Sequence, residues 1–406
     1  MGLTLITANA EEKRILAYTG IAHAVSDAWH IIFPALLFLI AVDHPNFFFL
    51  GVLANITVAS RAVSGVVAGF MADRYSSRML YGAFAILSAI GCFVIYLTSG
   101  TVMLGVGLFV LGVGTGIYHP VGLSSITRFV RRRTEGLGIH ESAGSLGLSL
   151  FPVLLISIGI AYGWRSAFLL GGFVSLVPLF LLPLIPARFD KPRDESSDQD
   201  TGWSEVLRVF TSKRVLVMYG AVVLLEASST GVETFLPVAI ADIGGLGQGT
   251  IGGISTTGLF LSMMILIGVP GSLLGGMIGA RWGSDRTLAV MTLAPLPILA
   301  LFAVLTGNAF LALAPILRAL TNARSPALNA LIGANLPAGM QGKGFALMYG
   351  ISPAVASLVT LAAGAVAEAY GLKWIFPLGG VLLIAAFPLA YLGHRYAKAE
   401  ASAKGP

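Results

Sequence analysis

Long apolar stretches recur along this 406-residue chain, separated by short polar segments. A helix needs about 20 apolar residues to cross the roughly 30 Å hydrocarbon core of a bilayer. Six such stretches precede a long polar segment and six follow it, near 15–41, 47–70, 79–99, 101–126, 137–161, 164–186, 214–240, 250–280, 287–306, 308–334, 341–369 and 372–394. The pattern therefore predicts an all-α membrane protein with twelve transmembrane helices.

The long polar segment, residues 187–213, is rich in Asp, Ser and Lys. We interpret it as a cytoplasmic linker between an N-terminal six-helix bundle, residues 1–186, and a C-terminal six-helix bundle, residues 214–406. An even number of spans places the start of both bundles on the same side of the membrane. The two halves are therefore expected to be parallel, related by an axis along the membrane normal.

The two halves also share a spacing of polar residues, at an offset of about 205 residues. The polar positions that precede Pro34 in the first span are matched by polar positions that precede Pro237 in the seventh span. They are His23, Asp27 and His30 in the first, and Glu226, Thr230 and Glu233 in the seventh. Substrate sites of such repeats lie near the midplane, so these two spans are expected to line one.

Composition supports the membrane assignment, with 56% hydrophobic residues, 11% charged residues and a mean hydropathy of +0.86. Soluble proteins average about 25% charged residues. We expect the first span to be retained, because no small-residue cleavage site follows it. The single Cys92 excludes an internal disulfide and a cysteine metal cluster, and we expect no cofactor.

The net charge of +6 reflects membrane orientation rather than nucleic-acid binding. If the N-terminus is cytoplasmic, about 20 of the 25 Lys and Arg residues fall in cytoplasmic segments, and only Arg165 and Lys373 fall on the opposite side. We therefore expect both termini to be cytoplasmic, in the inner membrane of a bacterium or archaeon. We expect no nucleic-acid partner and a monomer in the lipid bilayer.

The loop after the second span carries a recognisable motif, Gly69-Phe-Met-Ala-Asp73-Arg74-Tyr-Ser-Ser-Arg78. It resembles the cytoplasmic loop signature of the major facilitator superfamily, and a weaker copy runs from Gly276 to Arg286. The resemblance implies a cytoplasmic latch that breaks when the cavity changes sides, with Gly allowing close helix packing. The inherited positions are Gly69, Asp73, Arg74, Arg78 and Arg281. Ser76 and Ser77 depart from the motif, as does Ala280 in the second copy.

A second resemblance is shorter. His23, Asp27 and Pro34, together with Tyr118-His119-Pro120, are similar to the fosmidomycin-resistance type of small-molecule exporter. The resemblances imply a proton-coupled transporter that works by alternating access. Export of a small polar organic compound by antiport is favoured, with organic anions among the candidate compounds. Import of an organic anion or of a divalent transition metal is the alternative, and a non-transporting membrane sensor or scaffold is the alternative of another class.

The polar face of the first span predicts the coupling residue. At about 100° per residue, offsets of four and seven return within roughly 40° of the starting direction, so His23, Asp27 and His30 share one face. A charge at the bilayer centre costs at least about 2.5–3.5 kcal/mol, which makes it a functional candidate. We predict proton coupling at Asp27, with a structural ion pair to Arg61 as the alternative.

The second half offers further carboxylates and two arginines. We predict that Glu226 and Glu233 are additional proton sites and that Arg318 contacts an anion. Arg318 and Arg324 are six residues apart, about 240° around a helix, so we expect them not to share a cavity. Arg324 is expected to extend towards the cytoplasm.

Histidines complete the candidate set. We predict that His23, His30, Arg61, His119 and Arg318 bind the substrate, and that His140 and Glu141 act at the cytoplasmic gate. No resident metal is expected, although His23, Asp27 and His30 form an alternative metal site because imidazole and carboxylate suit divalent transition metals. We expect no enzymatic activity, since no HExxH, Walker or dinucleotide fingerprint occurs.

Overall fold

The computed structural model describes residues 10–131, 133–186, 208–335, 350 and 352–403, which are mainly α-helical. The helices of seven residues or more are α1 (Ala10–Asp43), α2 (Phe47–Arg74), α3 (Ser77–Tyr96), α4 (Thr101–Phe129), α5 (Arg133–Tyr162), α6 (Trp164–Ser175), α8 (Lys213–Asp242), α9 (Thr256–Trp282), α10 (Ser284–Leu293), α12 (Gly307–Asn335), α13 (Leu358–Tyr370) and α14 (Ile375–Ala403). Shorter pieces are α7 (Val177–Leu181) and α11 (Leu296–Leu301), and 3₁₀ turns at Leu182–Leu184 and Leu372–Trp374. β1 (Thr250–Ile251) and β2 (Ile254–Ser255) form an antiparallel pair.

Within the described residues, eleven helical segments are long and apolar enough to cross a membrane. This confirms the all-α membrane class. The predicted span near 308–334 corresponds to α12, which has 29 residues but is not among the eleven. Its middle holds Arg318, Asn322 and Arg324, which lower its hydropathy. The count of twelve spans and the two parallel repeats therefore stay predictions.

Among the described residues, at least two of the predicted spans are interrupted. The first breaks at Leu176, between α6 and α7, and the second at Ala294 and Pro295, between α10 and α11. Pro178 follows the first break and Pro295 lies in the second. Proline interrupts a helix because it lacks the N–H that would continue the helical hydrogen bonds. The predicted linker, residues 187–213, lies outside the described residues up to residue 207, so the domain division stays a prediction.

One compact unit comprises Met1–Leu39, Ile56–Ser196 and Thr250–Ser262. Its helices approach closely where glycines replace side chains. A Cβ on Gly147 of α5 would lie 2.7 Å from the Cα of Ala24 in α1, and one on Gly112 of α4 would lie 2.6 Å from the carbonyl of Thr57 in α2. Such small residues let the backbones of membrane helices pack together. The polar residues of α1, α2, α4 and α5 are thereby drawn to one place.

The second compact unit comprises Ile40–Asn55, Ser197–Gly249 and Met263–Pro406. Its core holds a ring cluster of Phe302, Phe310 and Phe376, with centroids 4.3 to 5.7 Å apart. A Cβ on Gly271 of α9 would lie 2.5 Å from the carbonyl of Ala319 in α12. This close approach fixes α12, and with it the two arginines near its middle.

Candidate functional site

A cluster of ionisable side chains in the first unit centres on Asp27. We call it the Asp27 cluster, and it consists of His23 and Asp27 on α1, Arg61 on α2, His119 on α4 and His140 on α5. The two oxygens of Asp27 have different partners: Oδ2 lies 3.3 Å from Nε2 of His23, and Oδ1 lies 3.2 Å from Nε2 of His119. The Asp27 side chain is 13% exposed. The carboxylate is therefore held between two imidazoles and largely removed from solvent.

The ring of His23 is oriented by its other nitrogen. Nδ1 lies 2.8 Å from the backbone carbonyl of His140, and the two imidazoles stack with centroids 4.0 Å apart. A carbonyl oxygen can only accept, so Nδ1 of His23 carries the hydrogen. In a neutral His23, Nε2 then carries only a lone pair, which an ionised Asp27 would repel. The contact is favourable only when a proton lies on Nε2 of His23 or on Oδ2 of Asp27. The His23–Asp27 contact is therefore satisfied when the pair shares one proton.

A second contact competes for His119. Nη2 of Arg61 lies 3.1 Å from Nε2 of His119, the same nitrogen that faces Asp27. A guanidinium can only donate, so Nε2 accepts when it bonds Arg61 and must carry a hydrogen when it bonds an ionised Asp27. One nitrogen cannot do both at once. Whether His119 bonds Arg61 or an ionised Asp27 therefore depends on whether its Nε2 carries a hydrogen.

Tyr118 closes the cluster from the α4 side. Its hydroxyl donates to the carbonyl of Thr19, and its buried ring stacks against His23 and His140 at centroid distances of 5.4 and 5.9 Å. Sequence reasoning gave Tyr118 no role of its own. The one signal was its place beside His119 in the motif that resembles the exporter.

Gly144 of α5 provides the space that the His23–Asp27 pair occupies. A Cβ at this position would lie 2.6 Å from Cε1 of His23 and 2.7 Å from Oδ2 of Asp27. Both distances are shorter than side chains tolerate, so one partner would have to move.

We therefore expect Gly144→Ala to reduce gradient-driven transport by about tenfold or more, because small misplacements of reacting groups have large effects on rate. Initial transport rates in liposomes measure the effect. Gly138→Ala is the matched control on the same helix, since nothing lies within 4 Å of an added Cβ there. Equal losses in both variants would contradict the role given to Gly144.

Several predicted residues are placed differently by the structure. His30 is exposed, and the group of ligand atoms around Asp27 contains His119 in its place. The alternative metal set of His23, Asp27 and His30 is therefore corrected to His23, Asp27 and His119. A metal cation there would meet the Arg61 guanidinium next to the His119 nitrogen. Arg61 bonds His119 while Asp27 attracts its guanidinium, so the alternative ion pair between Asp27 and Arg61 stays a prediction.

A cavity in the second unit is lined by Glu233 and Arg318, two more of the predicted residues. We call it the arginine pocket; the empty space in it, including the part open to solvent, is about 420 Å³. Its lining residues come from α8, α11, α12, α14 and the break before α11: Ser228, Ser229, Val232, Glu233, Leu236, Pro295, Leu299, Ala314, Leu317, Arg318, Thr321, Arg324 and Leu383. Nη1 of Arg318 donates to Oε1 of Glu233.

The expectation that Arg318 and Arg324 cannot share a cavity is wrong. Both line the arginine pocket, since long side chains reach around a helix that contains Pro315 and Pro326. Arg324 is 4% exposed rather than extended towards solvent, and its Nη2 donates to the Leu225 carbonyl at 3.3 Å and the Ser229 hydroxyl at 3.0 Å. Glu226 is half-buried and near enough to attract Arg324.

The predicted gate residues have different surroundings. Arg74 and Arg281 are exposed at the ends of α2 and α9, whereas Nη2 of Arg78 donates to the Ile185 carbonyl at 2.9 Å. The Asp73 side chain lies outside the described residues. Among the described residues, the nearest neighbour of a Cβ added at Gly69 would be the Cβ of Pro120, 3.9 Å away, which is an ordinary contact distance.

Two further gate positions differ in their surroundings. Glu141 is exposed, whereas its neighbour His140 is fully buried in the Asp27 cluster. Ser76, a departure from the motif, caps α3 by accepting a hydrogen bond from the amide of Met79 at 3.1 Å. The gating roles stay predictions.

The sequence is similar to several transporters over part of its length. A putative proline/betaine transporter of Staphylococcus haemolyticus is 22% identical over 252 residues, covering 57% of this chain and 52% of that protein. The multidrug resistance protein MdtL of Escherichia coli is 26% identical over 226 residues, covering 53% and 55%. A probable sulfoacetate transporter, SauU, of Cupriavidus necator is 28% identical over 129 residues, covering 31% and 30%. The chain spans about half or less of the length of these curated relatives.

Solved structures share the fold over nearly the whole chain. The nucleoside transporter NupG matches with a TM-score of 0.78 at 11% identity, covering 94% of this chain and 99% of NupG. A bacterial homologue of the human lysosomal transporter Spinster matches with a TM-score of 0.75 at 15% identity, covering 96% and 98%. The family model of the Major Facilitator Superfamily matches residues 20–319. Because that match covers most of the chain and the fold agrees along it, this integral membrane protein belongs to the Major Facilitator Superfamily.

Proposed function

We propose that the protein is a proton-coupled secondary transporter that exports a small, polar, anionic organic compound by antiport and alternating access. The observation that carries this proposal is the contact between His23 and Asp27. With Nδ1 committed to the His140 carbonyl at 2.8 Å, the pair must hold one proton between Nε2 and Oδ2. Because this buried contact needs a proton, binding or loss of that proton can be coupled to the transport of substrate.

The Asp27 cluster also supplies a consequence of proton exchange. When Asp27 is ionised, Nε2 of His119 carries a hydrogen and bonds Oδ1; when Asp27 is protonated, Nε2 is released to accept from Arg61. When Asp27 loses its proton, the hydrogen bond of His119 therefore moves from Arg61 on α2 to Asp27 on α1. Such a change in contacts between helices is what a proton must cause if it is to drive a change of state.

The arginine pocket supports an anionic substrate. Its lining contains the guanidiniums of Arg318 and Arg324 and the carboxylate of Glu233, and Glu226 lies near enough to attract Arg324. Planar guanidiniums with several donors suit the binding of oxyanions. One relative is named for the transport of sulfoacetate, which is an anion. Cytoplasmic termini, a bacterial inner membrane and a monomeric state are part of the same proposal.

Flux in liposomes tests this function. We expect an imposed pH gradient, acidic inside, to drive uptake of membrane-impermeant short-chain sulfonates or dicarboxylates into liposomes that contain only this protein. A protonophore should abolish the uptake, because it collapses the gradient without touching the protein. Uptake that persists unchanged with the protonophore would contradict proton coupling. The absence of uptake across the whole panel would contradict an anionic substrate.

A further inference from the structure

The ion pair between Glu233 and Arg318 lies in the wall of the arginine pocket. Glu233 is on α8 and Arg318 on α12, and both side chains line the cavity. The Glu233 side chain is 42% exposed and that of Arg318 is 19% exposed. The pair therefore sits where an incoming ligand would meet it.

The guanidinium of Arg318 is incompletely bonded. It has five N–H donors, and among the described residues Glu233 is its hydrogen-bond acceptor, while its buried Nε has no partner. A buried donor without an acceptor costs free energy, so a ligand with two oxygens would bind Arg318 better than one oxygen of Glu233 does. The ion pair with Glu233 neutralises the charge of Arg318, but among the described residues it leaves the Nε–H of Arg318 without an acceptor.

The strength of the two arginine contacts differs. Half-exposed ion pairs contribute little stability, so the Glu233 contact can be exchanged at small cost. Arg324 is buried and bonds two neutral acceptors on α8. Arg324 is therefore the fixed positive charge of the pocket, and Arg318 is the exchangeable one.

We propose that Glu233 occupies the anion site of Arg318 when no ligand is bound and is displaced by the substrate. The substrate class that fits is a small aliphatic monoanion with a carboxylate or sulfonate group. The inference rests on the proposed function, because it takes the arginine pocket to be the substrate site. Glu226 is near enough to attract Arg324, so displacement of Glu233 leaves the positive charge of Arg318 for the ligand, and a monoanion neutralises it.

The apolar part of the pocket specifies the rest of that ligand. Val232, Leu236, Leu299, Leu317 and Leu383 provide aliphatic walls, and the described lining contains no aromatic ring. Stacking, the usual means of holding an aromatic or heterocyclic compound, is therefore not provided. The walls fit a short hydrocarbon chain attached to the charged group.

An internal competitor has a measurable effect on affinity. The apparent dissociation constant is the intrinsic one divided by the fraction of molecules in which Arg318 is free. If Glu233 occupies Arg318 about nine-tenths of the time, removing it tightens binding about tenfold. The direction of this change distinguishes a competitor from a ligand contact, since removing a contact weakens binding.

Calorimetric titration of the detergent-purified full chain tests the inference. The probes are propionate, butyrate and ethanesulfonate, which separate carboxylate from sulfonate recognition. We expect Glu233→Gln to bind the preferred probe about tenfold more tightly than the wild type. Glu233→Asp keeps the charge but shortens the reach by one methylene, so intermediate tightening is expected. Asp242→Asn, at the exposed end of α8, is the matched control and should bind as the wild type does.

The outcomes separate this inference from the proposed function. Weaker or unchanged binding by Glu233→Gln overturns the competitor role. If the wild type binds a probe, Arg318→Ala abolishes that binding and Glu233→Gln does not tighten it, the anion site stands and the inference fails. If neither the wild type nor Glu233→Gln binds any probe, the substrate class is wrong for both. Proton coupling at Asp27 is unaffected by all of these results.

Discussion

Asp27→Asn is expected to reduce gradient-driven transport to the rate of protein-free liposomes while substrate exchange in the absence of a gradient continues. Asparagine has nearly the shape of aspartate, and its amide can still bond one imidazole, but it cannot take up or release a proton. The contact with His23 at 3.3 Å would then no longer hold an exchangeable proton. Parallel measurements of pH-driven uptake and of exchange between internal and external substrate distinguish the two processes.

The same chemical change elsewhere provides the control for this experiment. Asp242→Asn lies at the exposed end of α8 and should leave both uptake and exchange at wild-type rates. Unchanged pH-driven uptake in Asp27→Asn would remove Asp27 from the coupling role. Loss of exchange together with uptake would mean that Asp27 is needed for the conformational change itself rather than for its coupling to protons.

Replacing Arg318 is expected to have the largest effect on substrate binding. Arg318→Lys keeps the charge but replaces a planar fork with a point charge, and we expect about tenfold weaker binding of a carboxylate or sulfonate. Arg318→Ala removes the charge and should weaken binding by about 100-fold, consistent with roughly 1.5–3 kcal/mol for a hydrogen bond to a charged group. Equilibrium binding of the probe that the wild type prefers measures both changes.

Removing Arg318 also leaves Glu233 without its partner, and this must be separated from the loss of ligand contact. The double variant Arg318→Ala with Glu233→Gln makes that separation, because the unpaired carboxylate is gone. We expect the double variant to bind as weakly as Arg318→Ala. Recovery of wild-type affinity in the double variant would show that Arg318 serves only to neutralise Glu233. Undiminished affinity in Arg318→Lys would contradict the expectation that the ligand needs the planar guanidinium of Arg318.

The candidate site was predictable in its residue types but not in its groupings. The polar face of the first span identified His23 and Asp27, because helical spacing is a local property of the sequence. The same spacing also selected His30, which is exposed, and gave no indication that His119 would take its place. That substitution depends on how α4 packs against α1, and one sequence contains no distance between them.

The arginine pocket shows the limit of helical angles. An angle of about 240° separates Arg318 from Arg324, and yet both line one cavity. Both arginines reach the same cavity because their side chains are long and α12 contains prolines. The residues of α8 that each arginine contacts determine where its guanidinium lies. Arg324 is held by the Leu225 carbonyl and the Ser229 hydroxyl, neither of which a sequence pattern marks as a partner.

The amino-acid sequence by itself determined the membrane class, most of the spanning segments and the superfamily, because hydrophobic length and short motifs are written in consecutive residues. The tertiary structure decided which ionisable groups meet. Asp27 acquired His119, Arg318 acquired Glu233, and Gly144 became the space beside the His23–Asp27 pair. Burying a polar group in lipid without a partner is costly, so the ionisable groups of the spans must pair with one another. These partners lie far apart in the chain, and therefore only the tertiary structure shows which groups form a site.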